Sequence, residues 1–175
     1  MAIYHYVSGK GALLHAVVGQ FLKECELPPQ EGTWQQRIAA LCHAFRDLAH
    51  KHPGPFLVYV EHEEWAEDEL GLTEAFHAVL HDAGFDDMRT VYFARLLMSY
   101  VEGFAWADLT GWTGKFDQAD RLDLDNAIEK GAYPVTRALR PIMINTDPDR
   151  EFELGLQTQI LGLEVQLTSQ KRDSP

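Results

Sequence analysis

Residues 152–167, FELGLQTQILGLEVQL, set the fold class. Phe152, Leu156, Ile160, Leu163 and Leu167 recur at three- and four-residue steps, the spacing of one helix face. Leu154, Leu161 and Val165 form a second, offset stripe, so the helix carries more apolar width than one small core needs. Gly155 and Gly162 stand one heptad apart. Each costs about 1 kcal/mol of helix propensity relative to alanine, and a close crossing with another helix would use the missing side chains. The stretch therefore predicts a terminal helix, over about residues 149–168, that meets a second copy of itself. Its start is marked by Asp147 as a cap, Pro148 at the first turn, and the acids Asp149 and Glu151 at the positive helix end.

The rest of the chain carries the same period. Residues 10–25 present Leu13, Leu14, Val17, Val18, Phe21 and Leu22 as a stripe. After the linker PPQEGT (28–33), with Thr33 as a cap, residues 34–52 repeat Ile38, Leu41, Cys42, Phe45, Leu48 and Ala49. Cys42 in that stripe reads as a small buried hydrophobe rather than a reactive thiol. Pro53 and Pro55 break that helix and can begin the next, which runs to about 68. A short helix at 72–83 ends at Gly84, and a long one spans 86–109. GWTGKFDQADRLDLD (111–125) is the least regular part and reads as a loop, a short helix or a mobile lid; Gly111 and Gly114 around Trp112 fit either a flexible cover or a fixed loop. Residues 126–144 predict helix, interrupted or kinked near Pro134 and Pro141, and the tail from 169 is expected to be loose. The fold class is all-α, a bundle of about eight helices.

Composition narrows the function. The 175 residues suit one domain, and no run of eighteen apolar residues supports a membrane span. No signal segment opens the chain and two cysteines make no disulfide framework, so the cytoplasm is the expected compartment. The net charge is −12, whereas phosphate recognition needs a positive footprint. Lys10, His15 and Lys23 are all that the opening segment offers toward one.

Candidate sites follow from side-chain chemistry. Phe56, Tyr59, Trp65, Phe76, Tyr92, Met98, Tyr100, Phe104 and Trp106 lie in segments that should face each other. Most should pack the core, yet the set would also suit a pocket for a small hydrophobic or aromatic metabolite. Tyr59, Tyr100 and His62 could supply its hydrogen bonds, with Glu63, Trp106 and Asp108 near its mouth. VEHEEWAEDE (60–69) is the sharpest polar cluster. Glu61, His62 and Glu64 could form an acid–base set there, although a solvated acidic helix end explains the same letters. His77 and His81 share a helix face, but HAVLH lacks the internal Glu of a metalloprotease motif, so no metal site is expected. His50 and His52 precede Pro53 and could cap helix carbonyls or interact favourably with the negative helix end. No nucleotide-binding or nucleophile-elbow motif occurs, and no cofactor is expected.

IYHYVSGKGALLHAVV (3–18) resembles the end of the helix-turn-helix of the TetR family of bacterial regulators, running into its connecting helix. FELGLQTQILGLE (152–164) is similar to the final dimerisation helix of that family. The resemblance implies a remnant of the recognition helix and turn at 1–8, a connecting helix at 9–26, a ligand-binding and dimerisation bundle at 27–170, and a tail at 171–175. It also implies backbone contacts to DNA from Tyr4, His5, Tyr6 and Lys10, and a homodimer through helices 86–109 and 149–168. The ligand-binding set it suggests is Tyr59, His62, Glu63, Phe76, Tyr100, Phe104 and Trp106. Because the first helices of the reading module are not seen before residue 3, the expectation is a regulator lacking most of that module, with no DNA binding by this chain alone. The leading function is then a dimeric small-molecule-binding protein of the TetR type. The alternative is a natural-product biosynthetic enzyme on the same fold, using His62 with Glu61 or Glu64 for an isomerisation, cyclisation or dehydration.

Overall fold

The structure, a computed structural model, describes residues 9–29, 31–61, 69–113 and 117–173. These form eight helices: α1 (Lys10–Lys23), α2 (Trp34–Lys51), α3 (Pro53–Glu61), α4 (Glu69–Ala83), α5 (Asp87–Thr110), α6 (Gln118–Lys130), α7 (Pro134–Met143) and α8 (Pro148–Asp173). No strand occurs among the described residues.

Local chemistry explains the boundaries. Thr33 accepts from the Gln36 amide while the Gln36 side chain accepts from the Thr33 amide, a reciprocal cap at the start of α2. Asp86 caps α5 through the Arg89 amide at 2.8 Å. Asp147 accepts from the amides of Asp149 and Arg150 at 3.1 and 3.3 Å, as its place before Pro148 predicts. Gly111 closes α5 in the left-handed region, φ 84°, where a side chain would be strained.

Helices α2 and α5 are the centre of the bundle. Helix α2 packs on α3, α4 and α5, while α5 also meets α3, α4 and α8. Helix α1 lies across α3 and α4. The predicted stripe of α2 is buried as read, with Ile38, Leu41, Cys42, Phe45, Leu48 and Ala49 all in the core. Burial pushes the Cys42 thiol up to about 12, so the small-hydrophobe reading of that residue fits its surroundings. Phe152, Leu156, Leu163 and Leu167 bury one face of α8, and Leu154, Leu161 and Val165 leave the other exposed.

Two open readings are resolved and one expectation changes. Of the loop, short helix or lid open for 111–125, residues 118–125 are helical, because Asp117 and Asp120 form a reciprocal cap that starts α6. The helical stretch at 126–144 is interrupted before Pro134 rather than only kinked there, with α6 ending at Lys130 and α7 starting at Pro134. Proline lacks the amide hydrogen that would continue α6 and suits the first turn of a new helix. Helix α8 runs to Asp173, so residues 169–173 extend it rather than forming a loose tail.

Candidate functional site

Two polar clusters interrupt the apolar interior. The first joins α3 to α5. Tyr59 Oη donates to Glu102 Oε1 at 2.7 Å. The Tyr59 ring is held in an aromatic group, with ring centres 5.9 Å from Phe21, 5.9 Å from Phe45 and 6.3 Å from Phe56. Burial raises the Glu102 carboxyl above its ordinary range; the Tyr59 hydroxyl opposes that, and the negative charge of Glu69 adds to it. Burial, then the charge and hydrogen bond of Glu102, pushes the Tyr59 hydroxyl well above the usual tyrosine range. A carboxyl that holds its proton can both donate to and accept from a neighbour. Leu57 and Val58 on α3 and Met98 on α5 are partly buried against the same core.

The second cluster joins α2, α5 and α8. Arg46 comes from α2 with only 9% of its side chain exposed. Its guanidinium lies over the rings of Phe152 at 4.6 Å and Phe104 at 5.5 Å. Nε and Nη2 donate to Asp108 Oδ2 at 3.0 and 2.6 Å, and Nη1 reaches Asp149 Oδ1 at 2.9 Å. Burial disfavours the guanidinium charge, but the bonds to Asp108 and Asp149 outweigh it and raise the Arg46 pKa. His50 Nε2 stands 3.1 Å from the same Asp108 oxygen, and Thr113 Oγ1 donates to the other at 2.6 Å. A cavity of about 340 Å³ opens here, lined by Arg46, His50, Asp108, Thr113, Pro148 and Asp149.

The sequence-derived residues divide among these places. Tyr59 is in the first cluster, and Phe76 is a fully buried core residue of α4. Tyr100 donates to the Phe152 carbonyl at 2.7 Å and stacks on the Phe152 ring at 5.5 Å. Phe104 joins the same rings and so sits beside Arg46. Trp106 is partly exposed on α5, and Trp112 is 79% exposed beyond its end. Glu61 ends α3 on the surface, and Lys10 begins α1 on the surface. His62, Glu63, Glu64 and Trp65 lie outside the described residues, as do Tyr4, His5 and Tyr6. His50 and His52 stand at the C-terminal end of α2, the negative helix end, where His50 pairs with Asp108 and His52 Nε2 lies 2.8 Å from Glu24 Oε2.

Glu102 and Arg46 were not singled out from the sequence. Glu102 sits among aromatics whose spacing reads as core, and its acidity alone gives no sign of a partner forty-three residues away. Arg46 falls between Phe45 and Leu48 in a helix that otherwise reads as an apolar stripe. The available signal was that a cation so close to that stripe needs an acid from another helix. Gly155 also has an unexpected role. A methyl group there would overlap the Tyr100 hydroxyl, so this glycine serves the chain's own α5–α8 seam, whereas Gly162 faces open space.

Residues 27–167 match the family described as tetracyclin repressor-like, C-terminal domain. The HTH-type transcriptional repressor DrrR1 of Streptomyces coeruleorubidus is 28% identical over 183 residues, covering 98% of this chain and 67% of that protein. ActR of Streptomyces coelicolor superposes with a TM-score of 0.77 at 22% identity in its complex with actinorhodin, over 95% of this chain and 81% of that one. Its complex with (S)-DNPA gives 0.71 at 25% identity, over 93% and 79%. These superpositions correct one expectation. The opening residues suggested a regulator without most of its DNA-reading module. The likeness instead runs over 93–95% of this chain and 79–81% of the matched regulators, a near full-length match to TetR proteins. No helix among the described residues is long and apolar enough to cross a membrane. With four-fifths of its length inside the matched family, the chain belongs to the TetR family and is a protein of the ligand-binding regulator type.

Proposed function

We propose that this protein senses a small, flat, largely apolar metabolite, and that the ligand sits against the α3–α5 seam with Tyr59 and Glu102 as its polar anchors. The observation that carries the reading is the Tyr59–Glu102 hydrogen bond at 2.7 Å, made between partly buried groups beside an aromatic wall. Ligand sites between the helices of a bundle are mostly apolar with a few placed polar groups, the composition this seam has. The complexes of ActR with actinorhodin and with (S)-DNPA support a small-molecule ligand for this fold. In this reading helix α1 is the connecting helix; it packs on α3, the helix that carries Tyr59. A ligand that favours one placement of α3 would therefore bias α1, which is what a population shift toward one regulatory state requires. Residues 27–170 form the ligand-binding and dimerisation unit in this reading. Two copies meet through the exposed apolar faces of α5 (Met88, Tyr92, Leu96) and α8 (Leu154, Leu161, Val165).

Calorimetric titration with actinorhodin tests the pocket. The expected result is saturable binding that weakens about tenfold in Tyr59→Phe and in Glu102→Gln, the loss of roughly one hydrogen bond each. Binding of equal strength in both variants and the parent would remove this seam from the site.

A further inference from the structure

We propose that the cavity at the junction of α2, α5 and α8 is a second binding site, for a small monocarboxylate, in which the ligand's carboxylate takes the place of Asp149 on Arg46. The guanidinium there is already desolvated and oriented, packed between Phe104 and Phe152. Its charge is balanced by Asp108, whose side chain is 6% exposed. Asp108 is fully engaged: one oxygen faces Arg46 Nε, Arg46 Nη2 and His50, and the other accepts from Thr113. That pair is the fixed part of the site.

Asp149 has a different character. Its side chain is 86% exposed, and it meets only the third guanidinium nitrogen, Nη1. A guanidinium already neutralised by a buried carboxylate does not require a second one. The pair is also weak on the Asp149 side, because that carboxylate stands in water and regains its full hydration when it leaves. Asp149 thus marks where an incoming carboxylate would bind and is readily displaced. Exchange of one carboxylate for another leaves the charge balance at Arg46 unchanged and adds no new burial of the cation.

The surroundings limit the ligand. The volume of about 340 Å³ admits a small molecule. Asp108 holds a fixed negative charge on the same guanidinium, so a dianion such as phosphate meets more repulsion than a monocarboxylate. Pro148 and the bare backbone of Gly111 form part of the wall and would flank an apolar body, while His50 and Thr113 supply polar edges. The site is separate from the Tyr59–Glu102 seam and does not depend on the ligand proposed there.

Titration of the full chain with sodium benzoate at constant ionic strength tests the site, read by the NMR signals of the Arg46 Nε–H and the amides of Thr113 and Asp149. The expected result is saturable shifts in the parent, binding about threefold tighter in Asp149→Ala, and no binding in Arg46→Gln. Asp149→Ala changes an exposed residue and decides the matter even where Arg46→Gln fails to fold. Equal affinity in the parent and Asp149→Ala, or no saturable shift in either, would overturn the proposal. Tighter binding of inorganic phosphate than of benzoate would overturn the carboxylate assignment. Benzoate binding unchanged in Tyr59→Phe is the expected sign of two separate sites, and its loss there would show that they are one.

Discussion

At the scale of single residues, Glu102 sets the most specific expectations. Its folded carboxyl holds its proton more tightly than the ordinary value of 4.5, chiefly because it is buried. A folded state that binds a proton more tightly than the unfolded state is favoured when that proton is present. The contribution is therefore complete below pH 4.5 and is lost as the pH rises through the elevated folded value. Glu102→Gln keeps an oxygen to accept from Tyr59 and has no charge to bury. Urea denaturation at a series of pH values should show the variant gaining on the parent from about pH 4.5 upward, by about 1.4 kcal/mol for each unit by which the carboxyl is raised. A constant difference across that range would mean that Glu102 ionises in the fold as freely as in the unfolded chain. Tyr59→Phe should act in the opposite direction. It removes the hydroxyl that favours the Glu102 carboxylate, at an expected cost of about 1–3 kcal/mol at a pH above the raised Glu102 value, where the group is ionised. The cost should shrink in acid, where Glu102 no longer needs to be held as an anion.

At the scale of elements, the two glycines of α8 separate two roles that the sequence presented as one. Their heptad spacing is visible in the letters, but which neighbour each faces is a property of the α5–α8 crossing. Gly155→Ala places a methyl group against Tyr100 and should break its bond to the Phe152 carbonyl, costing about 1–3 kcal/mol in thermal or urea unfolding. Gly162→Ala meets open space in the single chain and should stabilise the helix by up to about 1 kcal/mol. Periodicity made most helices legible, because a stripe such as Ile38–Leu41–Phe45–Leu48 has only one reading at that length. Caps with a short polar residue before the run, Thr33 and Asp147, were legible for the same local reason. Residues 118–125 left a loop, a short helix and a lid all open, since their acids mask the Asp117–Asp120 cap and their few apolar side chains give little stripe. The site was less legible than the fold. Tyr59 could be named from its type and place, but its partner Glu102, and the meeting of Arg46 with Asp108 and Asp149, depend on how three helices cross.

At the scale of the whole molecule, the exposed faces and the charge oppose each other. Met88, Tyr92 and Leu96 on α5 lie open together with Leu154, Leu161 and Val165 on α8. Apolar stripes on two long helices are a poor ending for a monomer and a suitable one for a self-complementary interface. Each copy carries a net charge of −12, so two copies repel wherever that charge is unscreened. Apolar contact therefore has to supply the attraction, and salt should assist by shortening the range of the repulsion. Sedimentation of the parent should show dimers that tighten between low and physiological salt. The double variant Leu161→Glu, Val165→Glu should sediment as a monomer at both, since it places carboxylates on the apolar stripe and adds to the repulsion. Its unfolding midpoint extrapolated to low protein concentration should match the parent's, because neither side chain is buried in the single chain. A variant that remains dimeric would move the interface to another surface. The exposed Val135 and Ile142 of α7, a helix with no buried residue, would then be the next face to substitute.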